Sequence, residues 1–234
     1  MKARSLRRTG HLTFRAAIAL YAVVVAAVPA AASPTGLNNI STTDVVDFDF
    51  LVLQYYANIP PKGSTEQWIA FKYGMFHEVE IGADWKVNDD PSLHAVFQAK
   101  YRIDPNKWFE DAPELPKFVV GFANLNDDRA STGPIAPYVG ASYDVGLARL
   151  HVGYDFQHEN EAFFAGVDRT FKLWGEDFTP RADVRQFNDR HDWLASAGFV
   201  TTLPGPFLLE SWVSLPSDGR DPVTTVKLNL VIEF

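Results

Sequence analysis

The chain has 234 residues, of which 47% are apolar and 21% charged, with 29 acidic residues against 21 basic ones. These values are typical of a folded protein and exclude a disordered or low-complexity chain. Five basic residues and no acidic ones lie in the first 32 positions, so 16 bases face 29 acids in the rest. A surface this acidic repels phosphate backbones, and we expect no nucleic-acid partner.

The first 32 residues have the pattern of a secretory signal peptide. Basic residues between Lys2 and Arg15 precede an uncharged stretch over 16–28, which is too short to cross a bilayer. The chain has no cysteine, so we expect neither a disulfide nor a lipoprotein anchor. The small residues that suit signal cleavage follow the uncharged stretch: Ala30, Ala32 and Ser33.

Beyond residue 33 the sequence alternates between apolar and polar residues and is broken at short intervals by Pro, Gly, Asn or Asp. In the clearest segments, Val79, Ile81 and Trp85 alternate with Glu80 and Asp84. This period of two predicts β-strands, and no apolar run is long enough for a transmembrane helix. The predicted strands span roughly 48–57, 66–75, 78–87, 93–103, 117–125, 134–143, 147–157, 162–171, 178–187, 192–202, 206–214 and 223–234.

The connections between these strands alternate between tight turns and longer polar loops. Tight turns are expected at residues 76–77, 144–146 and 203–205. Short turns at one end and longer loops at the other are typical of an up-and-down transmembrane β-barrel. The connection over 104–116 is long although it falls on the short-turn side, so the predicted strand count is ten to twelve.

The last predicted strand carries a specific family resemblance. Five apolar residues at alternate positions end on a terminal aromatic residue, which resembles the C-terminal assembly signal of Gram-negative outer-membrane β-barrels. That resemblance implies insertion into the outer membrane by the barrel-assembly machinery, with periplasmic chaperones as earlier partners. The predicted organisation is a signal peptide over 1–32, an N-terminal periplasmic segment over 33–47 and the barrel over 48–234. The residues of the signal are Val226, Leu228, Leu230, Ile232 and Phe234.

In a membrane barrel, charged side chains belong on the face turned away from lipid, because Arg or Lys at the bilayer midplane costs about 2–4 kcal/mol. Most charges of the predicted strands do lie opposite the more apolar face. Bases outnumber acids in this set, but the mixture favours pairing across neighbouring strands over a ladder of free bases. The predicted lumen-facing charged residues are Lys72, Lys86, Lys100, Arg102, Arg149, Asp155, Asp168, Arg181, Asp183, Arg185 and Glu210.

The predicted function is a narrow passive channel, or a structural component of the outer membrane. Two alternatives are an outer-membrane barrel enzyme acting on lipid or polysaccharide, and a secreted soluble β-barrel binding module. His94 and His151 are predicted to face the lumen, and Ser142 lies on the strand beside that of His151. No nucleophile motif surrounds any serine. We therefore predict no catalytic residue, metal site or cofactor, and the sequence does not indicate an oligomeric state.

Overall fold

The computed structural model describes residues 36–87, 95–109, 114–126, 134–156, 161–187 and 191–234. The predicted signal peptide and its cleavage residues Ala30, Ala32 and Ser33 lie outside these ranges, as does His94. The strands of the described residues form one antiparallel sheet. Its strands are β1 (Phe50–Ile59), β2 (Glu66–Phe76), β3 (Val79–Lys86), β4 (Ala95–Ile103), β5 (Lys117–Ala123), β6 (Ala136–Asp144), β7 (Arg149–Asp155), β8 (Ala162–Asp168), β9 (Phe171–Leu173), β10 (Glu176–Phe187), β11 (Asp192–Thr202), β12 (Phe207–Pro216) and β13 (Val223–Glu233).

The sheet closes on itself into a barrel of twelve strand positions. Strands β8 and β9 both pair with β10 and form one strand interrupted at residues 169–170. The first strand β1 pairs with β2 on one side and with the last strand β13 on the other, in a register from Phe50↔Glu233 to Ile59↔Thr224. Closure gives backbone N–H and C=O groups a partner without leaving an edge, as a hydrocarbon environment requires. The predicted all-β antiparallel barrel is confirmed, at the upper strand count.

The two faces of the barrel differ in chemistry. Outward positions carry large apolar side chains that are exposed on the isolated chain, such as Tyr55, Phe97 and Leu150. Inward positions carry polar and charged residues that are buried, such as Gln54 and Lys100. The alternation read from the sequence arises because each strand separates an apolar outside from a polar inside. Within the described ranges, no helix is long and apolar enough to cross a membrane.

The two ends of the barrel also differ. At one end, here called the turn end, β2–β3, β6–β7, β9–β10 and β11–β12 are joined by tight turns. The long connection between β4 and β5 lies at this end and begins with a 3-10 helix, Pro105–Lys107. It is tied to the β2–β3 turn, because Arg102 and Lys107 both pair with Glu78. Burial alone raises the pKa of Glu78, but these two cations hold it below its usual value. The opposite end is called the loop end.

Candidate channel interior

Residues 36–46, here called the lumen segment, lie inside the barrel. The side chains of Val45 and Val46 are buried, and so are those of Thr42 and Thr43. The chain then turns sharply at Asp49, which has a positive φ of 63°, and enters β1. The sequence predicts an N-terminal periplasmic segment over 33–47. The structure instead places its described part against the inner wall.

Apolar contacts hold both halves of the lumen segment. Near the turn end, Val46 packs with wall residues of β1, β12 and β13. Deeper in the lumen, Leu37 and Ile40 pack against Phe164 of β8. They lie directly over Gly166, where any added Cβ would collide with both side chains. The absence of a side chain at position 166 therefore makes room for the segment.

Polar side chains of the wall accept hydrogen bonds from backbone N–H groups of the lumen segment. Asp183 of β10 accepts hydrogen bonds from the backbone N–H groups of Asn38 and Asn39, at 2.9 and 3.3 Å. Glu80 of β3 accepts the backbone N–H of Val46 at 2.9 Å. A coil buried in the lumen has no strand partner, so these side chains replace the sheet hydrogen bonds that it lacks.

An ion pair joins the lumen segment to β7. The guanidinium of Arg149 contacts both carboxylate oxygens of Asp44, at 2.6 and 2.8 Å. The same guanidinium pairs with Asp168 of β8, at 2.6 and 3.0 Å. Burial alone raises the pKa of Asp44, but Arg149 outweighs that effect and holds the pKa below its usual value. The contact therefore stabilises docking at neutral pH and is lost as the pH falls through the lowered pKa.

We expect Asp44→Asn to loosen the lumen segment. The change removes the charge but keeps the shape, and a hydrogen bond to a charged group contributes about 1.5–3 kcal/mol. A single cysteine introduced by Thr43→Cys, at a buried position of a cysteine-free chain, reports release through labelling by a water-soluble maleimide. Labelling should be faster with Asp44→Asn than with Asp47→Asn, a matched change at the exposed neighbour. Equal rates for the two variants would contradict the role given to this ion pair.

The other predicted charged residues are paired along the inner wall or bound to the lumen segment. Lys100 donates to the carbonyl of Thr42 at 3.4 Å and is influenced by the charges of Glu80 and Asp44. The structure thus brings the predicted residues together as neutralised groups rather than as a ladder of free bases. The remaining pairs are Lys72–Asp84, Lys86–Glu66, Arg102–Glu78, Arg181–Glu210, Arg185–Asp155 and Lys227–Glu210.

Ser142, His151 and Asp168 form a chain of polar contacts across β6, β7 and β8. The Ser142 hydroxyl lies 2.7 Å from His151 Nδ1, and His151 Nε2 lies 3.5 Å from an oxygen of Asp168. These residue types also occur in nucleophilic triads. Here, however, Ser142 is only 4% exposed, and its oxygen accepts the backbone N–H of Thr43 at 3.4 Å. In this structure the serine holds the lumen segment.

A polar chamber of about 370 Å³ lies between the lumen segment and the wall. Residues 36–41 form one side of it, and strands β1–β4, β12 and β13 form the other. Asn58 and Thr225, near the loop ends of their strands, line it as well, so the chamber extends towards the loop end.

Asp44 and the amide side chains that line the chamber were not identified from the sequence as candidate site residues. The excess of bases in the predicted lumen set was the one available signal for a further inward acid.

No sequence profile of a known protein family matches the chain, and no curated protein matches it in sequence. Solved structures do match. A KdgM porin in complex with disordered oligogalacturonate superposes with a TM-score of 0.60 at 12% identity, over 76% of this chain and 98% of that one. The chain has the fold of an outer-membrane porin. A NanC porin matches with a TM-score of 0.51 at 13% identity, over 78% of this chain and 99% of that one.

These superpositions establish the porin-like fold, and at 12–13% identity they establish nothing about the solute. The interior must therefore be interpreted from this chain's own residues. Within the described ranges, no group of three or more His, Asp or Glu side chains is arranged to hold a metal ion. The described interior consists of a closed wall with paired charges, the docked lumen segment and the polar chamber between them.

Proposed function

We propose that the chain forms a narrow passive channel for small polar solutes in the outer membrane. The chamber carries this proposal, because amide, hydroxyl and charged groups line a space of about 370 Å³ inside a closed apolar-faced barrel. A structural protein has no need for such a space, since side chains can fill a barrel interior. The likeness to a KdgM porin and a NanC porin supports a channel on this fold.

The lumen segment sets the width of the proposed channel. It occupies the lumen from Gly36 near the middle to Val46 near the turn end. Solutes that enter the chamber from the loop end must pass between this segment and the wall. We therefore propose that the intact chain passes only small solutes, at a low rate.

The route to the membrane is part of the same proposal. Residues 1–32 would direct export and be removed after Ala32, and periplasmic chaperones would carry the unfolded chain to the barrel-assembly machinery. The alternating apolar face of β13 and the terminal Phe234 support recognition as an assembly signal. Phe234 lies 76% exposed at the end of the strand that closes the barrel.

Planar-bilayer recording of the refolded full chain tests the channel directly. We expect small, discrete conductance steps in potassium chloride, and swelling of liposomes in monosaccharide solution. Heat-denatured protein in the same detergent serves as the control. Conductance indistinguishable from this control, with a folded barrel confirmed by heat-modifiable migration on a gel, would reject the proposal.

A further inference from the structure

Among the described residues of the chamber wall there is one acid, Asp84 of β3, and its charge is compensated. Lys72 Nζ lies 2.7 Å from one carboxylate oxygen, which also accepts the side-chain amide of Gln98 at 3.0 Å. The other oxygen accepts the Tyr56 hydroxyl at 3.1 Å. Both oxygens are thus occupied by donors from neighbouring strands, and the carboxylate offers little attraction to a passing cation.

The second cation of the chamber, Lys227, is balanced within a larger group of charges. Lys227 Nζ lies 3.0 Å from Glu210, whose carboxylate is fully buried behind the chamber wall and also pairs with Arg181. Arg181 interacts in turn with the charge of Asp183, two positions along β10, so three cations face three acids when Lys72 and Asp84 are included. Lys227 also lies 5.6 Å from the ring centre of Trp212. An anion in the chamber would have to compete with Glu210 and with this aromatic ring for Lys227. Among the described residues that line the chamber, only Lys72, Asp84 and Lys227 carry charge.

The remaining lining groups are neutral hydrogen-bonding groups. They include the side chains of Gln54, Asn58 and Thr225 and the backbone of the lumen segment. Trp212 is 8% exposed, and its indole N–H has no acceptor among the described residues. Amide and hydroxyl side chains, which both donate and accept hydrogen bonds, suit a solute rich in hydroxyl groups.

We infer that the chamber favours uncharged, hydroxyl-rich solutes of about saccharide size over anionic or cationic solutes of the same size. The inference rests on the proposed channel function and names its solute class. The decisive feature is charge compensation: the lining holds two lysines and one aspartate, and the second lysine is balanced by Glu210 behind the wall. An interior whose charges are balanced in this way neither concentrates ions of one sign nor rejects those of the other. The chamber volume of about 370 Å³ falls within the range of sites for small molecules, about 300–1,000 Å³.

Two measurements on the full-length wild-type chain test this inference. The first is the reversal potential across a potassium chloride gradient, which should lie close to zero. The second is liposome swelling in glucose and in glucuronate, which share a ring size but differ by one negative charge. Glucose should enter severalfold faster. Strong anion or cation selectivity, or faster entry of glucuronate, would overturn the inference while leaving the channel itself intact.

Complementary variants separate charge compensation from a general structural disturbance. Asp84→Asn leaves Lys72 without its carboxylate partner and should shift the reversal potential towards chloride. Lys72→Met leaves Asp84 uncompensated and should shift it towards potassium. The double variant should return close to the wild-type value, and Asp218→Asn in the exposed β12–β13 loop should not move it. Shifts of the same sign in both single variants would overturn the inference, whereas absent conductance in the wild type would reject the channel itself.

Discussion

Deleting residues 36–46 should raise the single-channel conductance severalfold. The deletion removes the chain that fills the lumen from the middle of the barrel to the turn end, while the twelve strand positions remain. Wall groups such as Asp183 and Glu80 lose protein partners but gain access to water, which can replace the lost hydrogen bonds. Planar-bilayer recording of the variant beside the wild type provides the measurement.

A second variant controls for the shortened chain. Replacing residues 37–46 by Gly and Ser at constant length keeps the connection to β1 but removes Asp44 and the apolar contacts of Leu37 and Ile40. Its conductance should approach that of the deletion variant, because a flexible Gly/Ser linker has no side chains that bind the inner wall. If both variants fold into heat-modifiable barrels and conduct like the wild type, the lumen segment does not limit the channel.

Changing Phe234 to Ser should strongly reduce the amount of inserted barrel while leaving export intact. Phe234 continues the outward face formed by Leu228, Leu230 and Ile232, next to the closing pair of strands. Losing the ring removes apolar burial in lipid of about 1.5–3 kcal/mol. The family resemblance adds the loss of an assembly tag. Outer-membrane fractionation and heat-modifiable migration measure the yield of folded barrel.

Glu233→Gln is the matched control for this prediction. It alters the preceding residue, which lies on the opposite parity of the same strand and pairs with Phe50 across the closure. Insertion should stay close to the wild-type level. An equal loss in both variants would show that any change at the C-terminus impairs assembly, and normal insertion of Phe234→Ser would contradict the assembly-signal interpretation.

The barrel could be predicted from the sequence because its strongest constraint is local. In a segment such as Val79–Lys86, residues that face lipid and interior in turn must alternate in polarity. Each strand can therefore be predicted from its own sequence, without information about the strands beside it. The tight turn at Trp174–Gly175 is not among the turns predicted from the sequence, which indicates strands over 162–171 and 178–187. There the strand before it is interrupted at Arg169 and Thr170, and pairing to β10 resumes only at Phe171.

The lumen segment could not be predicted, because its contacts are distant in sequence. Asp44 and Arg149 are separated by 105 positions, and no local pattern marks them as partners. The same limit applies to Val231. Strand parity turns it inward, towards an interior expected to be polar, yet it packs in an apolar cluster with Val46 and Val52. The environment of an inward position depends on what fills the lumen there, and strand periodicity carries no information about that.

The pairing of the first strand with the last also bears on how fast the molecule folds. Phe50 pairs with Glu233, so this closure joins strands that lie farther apart in the sequence than any other strand pair among the described residues, and contacts of large sequence separation form slowly. The chain just before β1 binds β3, β7 and β10, which lie far apart along the sequence. A docked N-terminus would hold these strands near one another before the barrel closes. Fewer conformations would then remain open to the first and last strands, and the entropic cost of bringing them together would be lower.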